Sequence, residues 1–223
     1  MSTITAGALI DRTAIILQDT TSIRWPRIEL LGWLNDGERE IVLHKPNAYI
    51  KNVPTSLTSG SKQALPLDGV SLIDVPRNVG GAAIRVVSRE ILDAQTPNWH
   101  ITSPAVAIKH YVYSPLDPKT FYVYPPSSGG SSVDLVYAAS PTDIVEGATI
   151  LVDDVYATAL INYMLYRAYS KDAEYAANAA QATAFYGQFM TLLGAKVTAE
   201  TVTAPAQALS VGGFNPNIPA TQK

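Results

Sequence analysis

The sequence predicts an α+β protein: an antiparallel helical bundle formed by N- and C-terminal helices, an antiparallel β-rich region inserted in it, and an extended C-terminal arm. Three observations carry this. Apolar residues recur at helical spacing near both ends, β-branched and aromatic runs broken by turn residues fill the middle, and large apolar residues thin out after Gly194. The boundaries that follow are a bundle over residues 1–47 and 142–195, a β-rich insertion over 48–141 and an arm over 196–223.

In the first helix Leu9, Thr13, Ile16 and Leu17 fall on one face between polar Asp11, Arg12 and Gln18, and Asp19-Thr20-Thr21-Ser22 reads as a break. A second helix starts at Pro26, whose fixed φ suits a first helical position. Leu30, Leu31, Leu34 and Ile41 supply its buried stripe, and Pro46 stops it. In the middle, Asp68-Gly69 marks a turn between apolar flanks. Lys109–Tyr113 and Thr120–Tyr124 alternate with period two across the connection Ser114–Lys119, and Val133–Tyr137 follows a Ser/Gly-rich loop, which together predict an antiparallel meander. The second helical region runs from about Asp153 to Ala195 with a break near Ser170-Lys171-Asp172, and Asp153 and Asp154 sit where negative charge favours a helix start. Tyr175, Ala179, Ala182, Tyr186, Phe189 and Leu193 alternate at spacings of four and three, the mark of a helix packed along its length.

Composition narrows the function. The 16 Lys and Arg against 19 Asp and Glu leave a formal net charge of -3, with no basic stripe of the kind a DNA-binding protein shows. Direct DNA binding is therefore not expected, although a DNA-facing lumen can still be built from a few scattered charges. The absence of cysteine removes disulfides and thiolate chemistry. The start of the chain lacks a secretory signal and no stretch is long and apolar enough for a membrane span, so synthesis in a cytoplasm and no membrane partner are expected.

Catalytic motifs are missing at the spacings their chemistry needs. The three histidines, His44, His100 and His110, form no H-x-x-x-H pair for a metal, and no G-x-S-x-G elbow presents a serine. Gly60-Ser61-Lys62 lacks the preceding glycine of a phosphate loop and, like Gly80-Gly81, reads as a turn. Glu38 and Glu40 do not face each other on a helix, so no carboxylate pair for glycoside hydrolysis is singled out. No cofactor, metal or catalytic residue is expected. Tyr111, Tyr113, Phe121, Tyr122 and Tyr124 place aromatics on both sides of a sheet, one side core and the other open to a sugar or a subunit.

Two segments resemble the podovirus-type head-to-tail adaptor family, the tail tubular protein A of short-tailed phages. One is Arg24-Trp25 with Leu30-Leu31-Gly32-Trp33-Leu34-Asn35-Asp36-Gly37-Glu38-Arg39-Glu40-Ile41; the other is Asp154 with Tyr163–Ala176 and Asn178-Ala179-Ala180. The resemblance implies a non-enzymatic, twelvefold ring in the virion, between the portal protein and the tail nozzle or tail tube protein. Its helical part would face the portal and its β-rich part the nozzle, around a DNA channel without sequence-specific contacts.

Within that frame, Val202, Leu209, Val211, Phe214 and Ile218 are spaced along the arm like anchors for a portal groove. Arg39 and Arg167 lie in apolar helical stretches and need carboxylates, for which Asp36, Glu38, Asp172 and Glu174 are the candidates, within the bundle or across a subunit seam. The residues also leave open a virion-associated cell-wall-degrading muramidase and a carbohydrate-binding tail module on the tyrosine-rich strands.

Overall fold

The computed structural model describes residues 2–172 and 176–203. Helices α1 (Ala6–Ile16) and α2 (Arg27–His44) precede strands β1 (Ile50–Ser56), β2 (Gly60–Ala64), β3 (Gly69–Asn78) and β4 (Arg85–Val86). Helix α3 (Arg89–Gln95), strands β5 (His110–Tyr113), β6 (Thr120–Ser127) and β7 (Ser132–Ala139), and helices α4 (Ala157–Lys171) and α5 (Ala176–Thr203) complete the order. The α+β class and the helix, strand, helix order agree with the sequence reading.

Four helices, α1, α2, α4 and α5, share one apolar core that includes Leu9, Ile10, Leu34, Ile41, Leu160, Met164, Phe189 and Leu193. Thr5 caps α1 by accepting from the Ala8 N–H at 3.3 Å. Asp19 accepts from the backbone N–H groups of Ile23, Arg24 and Trp25 at 2.8–3.0 Å, which shapes the α1–α2 turn and holds its carboxyl below the usual range. Ile16, expected on the buried face of α1, is exposed; Ala6, Ile10 and Ala14 fill that face with Leu9, Thr13 and Leu17. On α2 the stripe forms around Gly37, where a Cβ would stand 2.9 Å from Tyr163 Cδ1, so the glycine lets α2 and α4 approach closely.

Contacts fix the helix directions. Glu29 meets Lys171 while Gly37 meets Leu160 and Tyr163, so α2 and α4 run antiparallel. Ring pairs Tyr163–Phe189, Tyr166–Tyr186 and Tyr169–Phe185, with centroids 4.9–5.6 Å apart, make α4 and α5 antiparallel as well. Helix α5 continues through Thr203, past residue 196 where the arm was expected to begin. Ala195, Lys196, Ala199 and Glu200 are strong helix formers, no proline intervenes before Pro205, and Gly194 costs only about 1 kcal/mol within a helix. At 1.5 Å per residue α5 is about 42 Å long and α4 about 22 Å. The α5 end therefore runs beyond the start of α4, toward the β-rich region that follows α2.

The strands form sheets of order β1-β7-β3 and β2-β6-β5-β4. Backbone bonds from Asn78 N–H to Ala82 O and from Ile84 N–H to Pro76 O join β3 to the β4 side, so the sheets enclose a second core of Leu72, Val75, Ile108, Phe121, Val123, Val133 and Leu135. The Asp68-Gly69 turn forms, closed by Gly69 N–H to Pro66 O at 2.8 Å. The hairpin β5–β6 pairs as expected, but the third strand of the predicted meander does not join it. Gly129 and Gly130, both at positive φ, redirect the chain, and β7 becomes the centre of the other sheet between β1 and β3. Gly60-Ser61-Lys62 is the bulged start of β2 and not a turn, whereas Gly80-Gly81 does turn the chain between β3 and β4.

Candidate functional site

Three polar residues of the first resembling segment, Asn35, Glu38 and Arg39, act on one structure, the irregular strap that returns the chain from β7 to α4. Asn35 binds Ile144 through both amide groups, donating to its O at 3.4 Å and accepting from its N–H at 3.1 Å. Glu38, fully buried, accepts from the N–H groups of Leu151 at 2.6 Å and Val152 at 3.4 Å. Burial raises its carboxyl pKa against the opposing pull of those bonds. Arg39 binds Asp143, and Arg27 binds Glu146 together with Asp11. On the strap's other side, Ala6 and Gly7 N–H groups bind Ala148 O and Glu146 O, and Ile150 N–H binds Ile4 O. Asp154 does not act as a simple helix start: it accepts from Ser2 Oγ, Thr3 N–H, Thr3 Oγ1 and Ile4 N–H, which hold its carboxyl far below the usual range. Asp153 supplies the start, accepting from Val155 N–H at 3.1 Å.

The candidate ion-pair residues come together in part. Arg39 and Arg167 share Asp36, at 3.1 and 3.7 Å, so two cations from α2 and α4 meet one carboxylate. Asp172 pairs instead with Arg24 at 2.7 Å, and Glu174 lies outside the described residues. Of the arm anchors, Val202 belongs to α5, while Leu209, Val211, Phe214 and Ile218 lie outside the described residues. The clamp by Asn35 and Glu38 was not anticipated. Its signal was present as two polar residues falling among Leu34, Gly37 and Ile41 on the buried side of α2.

Exposed large apolar side chains occur along much of the described chain, on the helical body and on the strand region alike. Ile15, Ile16, Ile23 and Ile28 occupy the helical body at the end of α1 and the start of α2, the end away from the strands. Leu67 and Leu116 stand on the β2–β3 and β5–β6 turns, which adjoin through Leu65 N–H to Lys119 O at 2.9 Å. Among the aromatic strand residues, Tyr111 and Phe121 are core, and burial together with Asp74 pushes the Tyr111 hydroxyl pKa well up. Tyr113 and Tyr122 line a cleft of about 520 Å³ with Arg89, Glu90 and Asp117. Ser61 Oγ lies 2.9 Å from His100 Nδ1. Among the described residues no carboxylate holds that ring and no group of three or more metal-ligating side chains gathers. No helix of the described residues is long and apolar enough to cross a membrane.

No curated protein matches the chain. The family model of the SU10 adaptor protein matches residues 4–209, spanning the helical body, the strand region and the strap between them. A match over nearly the whole chain places it in the SU10 adaptor protein family, as a structural adaptor protein of a bacteriophage particle.

Proposed function

We propose that this chain is one subunit of a ring, twelvefold in the arrangement its family resemblance implies, that joins the portal to the tail nozzle and helps retain packaged DNA. The supporting observation is the match to an adaptor family over residues 4–209, on a chain that exposes apolar side chains on both its parts, isoleucines such as Ile23 and Ile28 on the helical body and Leu67 and Leu116 on the strand turns. A ring closes through heterologous contacts, which need two different faces on each subunit.

The arm beyond Thr203 docks on the portal through Leu209, Val211, Phe214 and Ile218. Residues 204–223, if extended at about 3.3 Å each, reach about 66 Å. That exceeds the length of α5, so an exit near the strands does not prevent contact with a portal on the helical side. Arg39 and Arg167 serve the fold, through Asp36, and not a subunit seam. Asp36→Asn should leave ring assembly unchanged, and altered ring size or yield would return these arginines to the seam.

Negative-stain imaging of the protein mixed with its portal, beside each component alone, tests the main claim. New ring density on the narrow end of the portal is the expected result. A folded monomer that leaves the portal bare would overturn it.

A further inference from the structure

Strand β1 lies at the edge of its sheet, with β7 on one side and no strand on the other. Its register with β7 runs unbroken from Ile50↔Ala138 to Ser56↔Ser132. Just beyond its two ends, Ala139 N–H donates to Tyr49 O at 2.9 Å and Leu57 N–H donates to Ser131 O at 2.7 Å. Bonded and non-bonded pairs alternate along an antiparallel ladder. The odd-numbered residues of β1 therefore bond to β7, and Ile50, Asn52, Pro54 and Ser56 turn their backbone groups outward. All four are exposed, and among the described residues no backbone group meets the outward N–H of Ile50, Asn52 or Ser56. Pro54 fits this phase, since proline is tolerated in a sheet where its missing N–H would face away from the ladder.

Strand β2 has the same character. Leu65 N–H donates to Lys119 O at 2.9 Å, in register with Gln63↔Phe121, so Lys62 and Ala64 turn their backbone groups away from β6. A cleft of about 300 Å³ lies between the two edges, lined by Thr55, Ser56, Leu57, Lys62, Gln63 and Ala64. On the opposite flank, by contrast, the Asn78 and Ile84 N–H groups join β3 to the β4 side. The β1 edge is also weakly guarded. It is seven residues long, Ile50, Asn52, Pro54 and Ser56 carry no charge, and Lys51 is held by Asp68. Pro54 is its one guard and removes a single donor.

We infer that the free edge of β1 accepts an extended strand of the nozzle protein, with one side chain of that strand seated in the cleft between β1 and β2. Backbone donors and acceptors that repeat every two residues, about 7 Å, are matched by another extended backbone. A helix, whose backbone groups are bonded internally, does not match them. Two copies of this chain joined through the same edge would pair about a two-fold axis, which the heterologous contacts of a ring do not use. The inference rests on the proposed adaptor reading, in which the strand region faces the nozzle.

The test adds purified nozzle protein to the full chain mounted on its portal, and reads co-sedimentation and hydrogen exchange. Exchange of the Asn52 and Ser56 amides should slow at least tenfold on binding, and that of Lys51, Val53 and Thr55, already bonded to β7, should change less. Asn52→Pro removes an outward N–H that the subunit itself does not use, and should weaken nozzle binding at least tenfold. Asn52→Ala keeps that N–H and should bind as the wild type does. Thermal melts check that both variants fold, and the exchange measurement on the wild type needs no variant. The inference is overturned by unchanged exchange at Asn52 and Ser56 in the bound state, by nozzle binding that survives Asn52→Pro, or by equal losses in the two variants. Rings that bind the nozzle regardless of Asn52→Pro defeat this contact and leave the adaptor reading standing, whereas portals left bare by the wild-type chain defeat both.

Discussion

Glu38 carries opposite effects within one side chain. Its Oε1 satisfies two strap N–H groups, whereas Oε2 is buried without a partner among the described residues, and burial lifts the pKa above the ordinary glutamate value of 4.5. A raised carboxyl contributes stability that is full below pH 4.5 and is lost as pH rises through the folded value. Glu38→Gln lacks that titration, so its stability relative to the wild type should improve from acid toward neutral pH, read as urea midpoints; a difference that stays constant across that window would sink the assignment. Glu38→Ala leaves the Leu151 and Val152 N–H groups unpaired and should cost about 2–4 kcal/mol in acid, a cost that shrinks toward neutral pH through the same titration. Asp154 has the reverse sign. Its depressed carboxyl contributes stability above the ordinary value of 3.8 that fades as pH falls toward the lower folded value, so the melting difference between wild type and Asp154→Ala should shrink in acid. The sequence displayed both acids, but a helix-start reading of Asp154 rested on local spacing, and its partners Ser2, Thr3 and Ile4 are about 150 positions away.

At the scale of elements, local pattern and long-range pairing separate cleanly. The β5–β6 hairpin and the Asp68-Gly69 turn were legible because alternation and turn chemistry act over a few residues. The placement of β7 was not, because alternation of Val133, Leu135 and Tyr137 tells which side faces a core and says nothing about which strands flank it. Glycines on α2 show the same division. Gly32 and Gly37 look alike in sequence, yet a Cβ at Gly32 meets nothing within 4 Å while one at Gly37 meets Tyr163 at 2.9 Å and Leu160 at 3.1 Å. Gly32→Ala should therefore stabilise by up to about 1 kcal/mol through helix propensity, and Gly37→Val should destabilise by about 1–3 kcal/mol through overpacking. Denaturant midpoints of the two variants decide it, and equal effects of either sign would mean that α2 and α4 do not approach as closely as described.

For the whole molecule, the position of the last structural contact determines where the arm can be tested. Leu193 is buried in the helical core and α5 continues to Thr203, so a cut after Gly194 would remove helix as well as arm and confuse folding with docking. A chain ending at Thr203 retains every residue of both cores, Phe189 and Leu193 included, and should melt as the full chain does. It should nevertheless lose portal attachment, because the four apolar anchors Leu209, Val211, Phe214 and Ile218 go with the deleted segment. Burial of even one such side chain is worth about 1.5–3 kcal/mol, which corresponds to at least tenfold in affinity. Replacing Leu209, Val211, Phe214 and Ile218 together by serine in the full-length chain separates the anchors from mere length: loss of portal binding in both variants assigns docking to the apolar side chains, loss only on truncation assigns it to the backbone or polar residues of the arm, and binding retained by the chain ending at Thr203 moves the portal contact to the exposed isoleucines of the helical body.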